Sequence, residues 1–261
     1  MSLHDYELDW EYLAGRDPLW AILTDESKVG SKWDIAEFMA TGDAEVKTVM
    51  DHLARIRLSP DFNGKALDFG CGVGRLTQAL ARRFASCVGV DISQEMIRKA
   101  GSLNQHTHCR YLVNTSTRLP FADASFSFIY SNIVLQHVPP RYSRRYLREF
   151  ARVLAPAGIL VVGLQDSFLM PDASVLSRIR KTARIRGRIK DALRLGEPKM
   201  KMYCLPERSV RRGLGSTKVV DIQFTNSAAK DFNGKLVFLQ NQPTVGYVSK
   251  QYCALKGCLS K

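Results

Sequence analysis

Asp68, Gly70, Gly72, Gly74 and Asp91 are the residues whose types and spacing speak most directly of chemistry. Residues Ala66 to Thr77 read A-L-D-F-G-C-G-V-G-R-L-T: an apolar run, an acid, three glycines at alternate positions, then a helix-compatible segment. Seventeen residues after Gly74, a second apolar run, Cys87-Val88-Gly89-Val90, ends in Asp91. Glycines let a backbone turn tightly and approach a ligand that side chains would block. A carboxylate at the tip of the next strand can accept hydrogen bonds from ribose hydroxyls. Together these are the needs of a nucleoside-binding α/β sheet. The dinucleotide fingerprint places its third glycine at a three-residue interval, whereas here the spacing is G-x-G-x-G behind an acid. That acid would repel a pyrophosphate and suits a cationic ligand with an amino group.

In this acidic-x-G-x-G-x-G form the chain resembles the class I S-adenosylmethionine-dependent methyltransferases. Residues 61–165 carry the resemblance, which extends more loosely to the last strands. It implies S-adenosylmethionine as cofactor, with Asp68 and the loop Gly70-Cys71-Gly72-Val73-Gly74 at its methionine portion. Cys71 sits there as a small residue that fits. The resemblance further sets Asp91 on the ribose, with Ile92 and Met96 against the adenine. Met96 also reads as core on an amphipathic helix. Family members often carry Asp-Ala after the third strand, where this chain has Thr115 and Ser116 before Leu119-Pro120-Phe121; a hydroxyl or amide there can still meet the adenine. Ser131 and Asn132 open the loop Ser131–Pro139, which in this fold faces the transferred methyl group. His137 in that loop is the candidate general base, since an imidazole of pKa ~6.5 can take a proton near neutral pH; its alternative role is to shape the loop. Trp33 either covers the cofactor mouth or pins an N-terminal helix to the sheet.

Missing motifs narrow the acceptor. The N/D-P-P-Y/F segment of exocyclic-amine methylation is replaced by Ser131-Asn132-Ile133-Val134, and no cysteine stands in that loop for attack on a cytosine. The paired glutamates of arginine methylation are absent too. A small-molecule or glycan acceptor remains, with oxygen as the commonest nucleophile. An RNA methyltransferase and an inactive binding module are the competing readings.

The elements that must position these residues follow from periodicity. The 261 residues suit one sizeable core with a modest appendage. We expect a Rossmann-like α/β fold: a seven-stranded, mostly parallel sheet with helices on both faces. Four segments are expected: a helical lid (1–60), the cofactor-binding core (61–170), a basic helical insert (171–218) and strands completing the sheet (219–261). Strands are predicted at 66–69, 87–91, 109–113, 126–131, 159–163, 218–224 and 246–252. Helices are predicted at 75–84, after Ser93, over 142–154, and from Asp43, where Val46, Val49, Met50, Leu53 and Ile56 recur at helical spacing.

Charge is uneven: the chain carries +13 net, yet residues 1–60 sum to −6 and residues 171–218 to +10. Within the latter, 174–194 interleaves Ile and Arg. It reads as a solvated face, a funnel for an anionic acceptor, a membrane-surface helix or, with few aromatics to stack on bases, an unpromising RNA site. Six scattered cysteines with no C-x-x-C pair argue for reduced thiols and against a metal site. The acidic N-terminus lacks an apolar signal core and no apolar run approaches ~20 residues, so a cytoplasmic protein is expected. The oligomeric state is not legible.

Overall fold

The apolar runs around the two acids form adjacent parallel strands. In the computed structural model, which describes residues 2–170, 200–229 and 232–257, β1 (Lys65–Phe69) pairs with β2 (Ser86–Asp91) and with β4 (Phe126–Ser131). The other strands are β3 (Cys109–Val113), β5 (Leu154–Leu169), β6 (Lys218–Thr225), β7 (Phe238–Leu239) and β8 (Gly246–Leu255). They build one eight-stranded sheet in the order β3-β2-β1-β4-β5-β8-β6-β7. The first five strands run parallel; β8 is antiparallel to both β5 and β6. The eighth strand is the two-residue β7, formed after the Asn233-Gly234 turn, so the expected seven gain one short edge piece.

Side chains alternate across a strand, and this divides the core. Leu67, Phe69, Ile129 and Leu160 face α6 (Pro140–Val153) and α7 (Glu207–Leu214). Ala66, Phe128, Tyr130 and Val161 face α3 (Ile35–Arg55) and α4 (Arg75–Ala81). Ser93 caps α5 (Gln94–Leu103) by accepting from the Met96 amide. At the N-terminus, Ser2 and Asp5 close a capping box on α1 (Leu3–Arg16), and Asp17 caps α2 (Pro18–Ile22), which starts on a proline. Among the described residues, no helix is long and apolar enough to cross a membrane.

Two expectations about elements need correction. Helix α3 starts eight residues before Asp43, because Asp34 accepts from the Glu37 amide and supplies the stronger N-cap. Strand β5 runs far past 159–163: β8 pairs with it as far as Leu169, carrying the ladder beyond the apolar centre. The basic stretch 174–194 lies outside the described residues.

One polar cluster joins the halves of this core. Glu45, fully buried on α3, pairs with Arg75 Nη2 at 2.8 Å. Its other oxygen accepts from Tyr130 Oη at 2.7 Å and Asn132 Nδ2 at 2.8 Å, and Arg75 also donates to Thr41. A second pin joins α3 to the sheet: Arg55 donates to His52 Nδ1, so His52 Nε2 donates to Asp221 at 2.8 Å. Cys253 completes a group whose ligand-type atoms lie within 4.8 Å of one another.

Removing one partner of a buried ion pair strands the other. Glu45→Ala should therefore cost about 3–5 kcal/mol of unfolding free energy, read from the urea midpoint of the purified variant.

Candidate active site

The site forms where β1 ends and the chain crosses to α4. Gly70, Gly72 and Gly74 hold φ of +76°, +52° and +86°, the left-handed region that disfavours side chains. A Cβ on Gly70 would fall 2.4 Å from the Val134 methyls, and one on Gly72 would fall 2.4 Å from Ile22 Cδ1. The loop is clamped to the end of β2: the Gly70 and Cys71 amides both donate to the Val90 carbonyl, at 2.7 and 3.0 Å. The Gly72 amide donates to Asp91 Oδ2 at 2.8 Å, and Ser93 N to Asp91 Oδ1 at 3.0 Å. Each carboxylate oxygen keeps a further lone pair for a ligand hydroxyl.

This edge carries a cleft of about 670 Å³, mouth included. Of the residues singled out from the sequence, Gly70, Gly72, Asp91, Ile92, Met96 and His137 line it. The strands' C-terminal edge at the point where chain order reverses is where α/β sheets bind ligands; here that point lies between β1 and β4.

The remaining candidates sit elsewhere. Asp68 shares the strand face of Ala66, so it points at α4, where Oδ2 accepts from Thr77 Oγ1 at 2.7 Å and Oδ1 has no partner. Burial raises its pKa to about 7. Cys71 is buried behind the loop and Gly74 caps α4. Ser131 donates to the Phe69 carbonyl and Asn132 to Glu45, so both brace the strand ends. Thr115 and Ser116 are exposed; Asn114, one residue earlier, lines the cleft, its side chain donating to the Ser116 carbonyl at 2.7 Å. Trp33 is drawn into the apolar cluster of α2 and α3, with Nε1 donating to the Leu23 carbonyl and its ring against Phe38. Tyr6 and Trp10 of α1 line the cleft instead, with Ala21 and Ile22 of α2. Those aromatics stand in the acidic N-terminal stretch, where no apolar periodicity flagged them. The wall also includes Ile133, a β-branched residue held at φ +55°, the kind of costly backbone that collects at functional sites.

His137 has a defined proton arrangement. Its Nδ1 lies 2.9 Å from the Lys201 carbonyl, which can only accept, so Nδ1 carries the hydrogen. Nε2 then accepts from the Gln136 side-chain amide at 3.2 Å. That amide is oriented in turn: Gln165 donates to Gln136 Oε1 at 2.5 Å, and Ser249 donates to Gln165 Oε1 at 2.6 Å. Trp10 packs edge-on against the imidazole, centroids 5.5 Å apart. Burial lowers the imidazole pKa to about 4.

Residues 67–162 match the methyltransferase domain family. Trans-aconitate 2-methyltransferase of Streptomyces avermitilis is 30% identical over 173 residues, covering 62% of this chain and 61% of that enzyme. An O-methyltransferase of Penicillium expansum is 33% identical over 141 residues, covering 51% of this chain and 50% of that protein. The matched stretch thus spans less than two thirds of either relative's length. In fold, the chain is similar to magnesium protoporphyrin IX methyltransferase of Synechocystis PCC 6803, solved with bound S-adenosylhomocysteine: TM-score 0.59 at 16% identity, covering 98% of this chain and 100% of that one.

Two outcomes check the site. Gly70→Ala, with a Cβ driven into Val134, should weaken S-adenosylhomocysteine binding at least tenfold by calorimetry, ~1.4 kcal/mol. The His137 ring should stay neutral in an NMR titration until the pH nears 4. Because the unfolded chain takes up that proton near pH ~6.5, its contribution to stability is complete above that pH and falls away toward 4. Glycine loop, clamped Asp91, sheet order and sequence matches converge on one stretch: residues 67–162 form a methyltransferase domain, set in the Rossmann-like fold of S-adenosylmethionine-dependent methyltransferases.

Proposed function

We propose that this protein transfers the methyl group of S-adenosylmethionine to an oxygen of a small-molecule acceptor, anionic acceptors included, and works in the cytoplasm. The observation that carries the reading is the continuity of the cleft. The glycine loop and Asp91 line the same cleft as Tyr6, Trp10, Tyr146 and His137, whose walls are mostly apolar. Bound S-adenosylmethionine would supply an activated methyl on a sulfonium that departs as a neutral thioether. The chain's own residues do the positioning. Asp91 accepts from the ribose, Ile92 and Met96 flank the adenine, and Asn114 offers polar contact at its edge. The backbone at Gly70 and Gly72 admits the methionine portion. Asp68, bonded to Thr77 of α4, does not line the cleft.

Transfer from a sulfonium asks the protein chiefly to align nucleophile, methyl carbon and sulfur and to exclude water. A narrow aromatic chamber suits a small acceptor. RNA would need an open basic groove with exposed stacking rings. The named relatives, one acting on trans-aconitate and one an O-methyltransferase, support the same reading. A glycan or lipid-linked acceptor, and membrane-surface contact through 174–194, belong to the wider version of this proposal.

The purified protein, given methyl-labelled S-adenosylmethionine and a fractionated cell extract, should label the small-molecule fraction. Label in ribonuclease-sensitive material would make it an RNA enzyme. Cofactor binding without label in any fraction would make it a binding module.

A further inference from the structure

We propose that His52, Asp221 and Cys253 bind a zinc-class divalent cation, at a site outside the cleft and independent of its chemistry.

The three residues are distant in sequence and meet only in the fold. His52 stands in the last turn of α3, Asp221 on β6 and Cys253 on β8. Their ligand-type atoms, an imidazole nitrogen, a carboxylate oxygen and a thiol sulfur, all lie within 4.8 Å of one another. Cysteine spacing speaks only to sites built within one segment, so the missing C-x-x-C pair does not bear on this one.

A break in strand regularity brings Asp221 there. Val219 pairs with Ala254 and Asp221 with Cys253, which leaves Val220 as an extra residue between them. Under strict alternation Asp221 would share the face of Val219, which packs with Ala254 in the cluster toward α6 and α7. The bulge turns it onto the face of Cys253, against α3. His52 and Cys253 are buried, while Asp221 keeps 20% of its side-chain surface exposed, so one side of the group reaches water. Gln223 Nε2 donates to Asp221 Oδ1 at 3.0 Å, and the Phe238 ring packs on the imidazole, centroids 4.5 Å apart. Contacts of this kind hold ligands in the orientation a metal needs.

One sulfur, one nitrogen and one carboxylate oxygen make a zinc donor set, whereas magnesium and calcium take oxygen. Around tetrahedral zinc such donors stand roughly 3.3–3.6 Å apart. His52 Nε2 and Asp221 Oδ2, now 2.8 Å apart, would separate by about half an ångström. Water would take the fourth position from the exposed side. Zinc on Nε2 sends the ring proton to Nδ1, so Arg55, exposed and now donating to that nitrogen, must turn out to solvent. The Cys253 thiol gives its proton to water and binds as thiolate. The cation would then tie α3 to β6 and β8, bracing the helix that carries Glu45.

Protein stripped with a chelator and titrated with Zn2+ against a chromophoric competitor should bind it with a Kd of about 1 μM or below. Cobalt in its place should show a thiolate-to-metal charge-transfer band that Cys253→Ser abolishes. His52→Gln and Asp221→Asn, checked as folded by circular dichroism, should weaken zinc at least tenfold. Arg55→Ala should tighten it about threefold by removing a competing donor and a nearby cation. Zinc should also raise the thermal midpoint of the wild-type protein and leave that of Cys253→Ser unchanged. Wild-type binding weaker than about 100 μM, a cobalt spectrum without sulfur charge transfer, full affinity in Cys253→Ser, or weaker zinc binding in Arg55→Ala overturns the site. The cobalt spectrum needs no variant, so a substitution that fails to fold leaves the proposal testable.

Discussion

One carboxylate, Glu45, fixes the geometry on which the cleft depends. It sits fully buried in α3 and holds three groups: Arg75, the first residue of α4, Tyr130 on β4, and Asn132 just beyond β4. Arg75 follows Gly74 directly, so the pair sets where the glycine loop ends. Asn132 precedes Ile133 and Val134, so the same carboxylate sets where the opposite wall of the cleft begins. Desolvating two charges is expensive, and a well-packed apolar substitute often matches a buried pair in stability. What such a substitute lacks is direction. Four donated hydrogen bonds to Glu45 and Thr41 hold α3, α4 and β4 in one register, where apolar packing would tolerate sliding.

With that frame set, each wall has a local cause. The glycine loop can fold back on β2 because three of its residues adopt left-handed backbone, and two amides on the Val90 carbonyl hold it there. Asp91 then accepts two protein amides and keeps lone pairs for a ligand. The far wall comes from α1, outside the sheet: Glu11 accepts from Ser93 Oγ at 2.5 Å and from the Glu95 amide, seating the helix that carries Tyr6 and Trp10 over the cleft. His137 closes the remaining side as a neutral ring with its proton committed, so the chamber is shaped more for alignment and desolvation than for proton transfer.

Much of this was legible where local chemistry and tertiary structure agree. Strands β3 and β4 fall at 109–113 and 126–131 as the sequence predicts, because their apolar runs are bounded by turns. The glycine loop and Asp91 come together because strand pairing alone brings them there. Legibility fails where a partner distant in sequence decides. Trp33 is the expected lid, yet the Leu23 carbonyl captures it and the cleft receives Trp10 instead. Thr115 and Ser116 follow the family spacing, yet the turn after β3 exposes them and presents Asn114. Glu45 reads as one more acid on an amphipathic helix until Arg75, Tyr130 and Asn132 arrive from 30 to 87 residues away. His137 drew notice as a base by residue type, and only the Lys201 carbonyl and Gln136 amide reveal which nitrogen holds the proton.

The central claim is that the clamped glycine loop and Asp91 form a site for a sulfonium nucleoside. Calorimetric titration of the purified protein with S-adenosylmethionine, S-adenosylhomocysteine and NAD tests it most directly. The account predicts micromolar binding of both sulfur nucleosides and none of NAD. Binding of NAD, or of neither sulfur nucleoside, would contradict it.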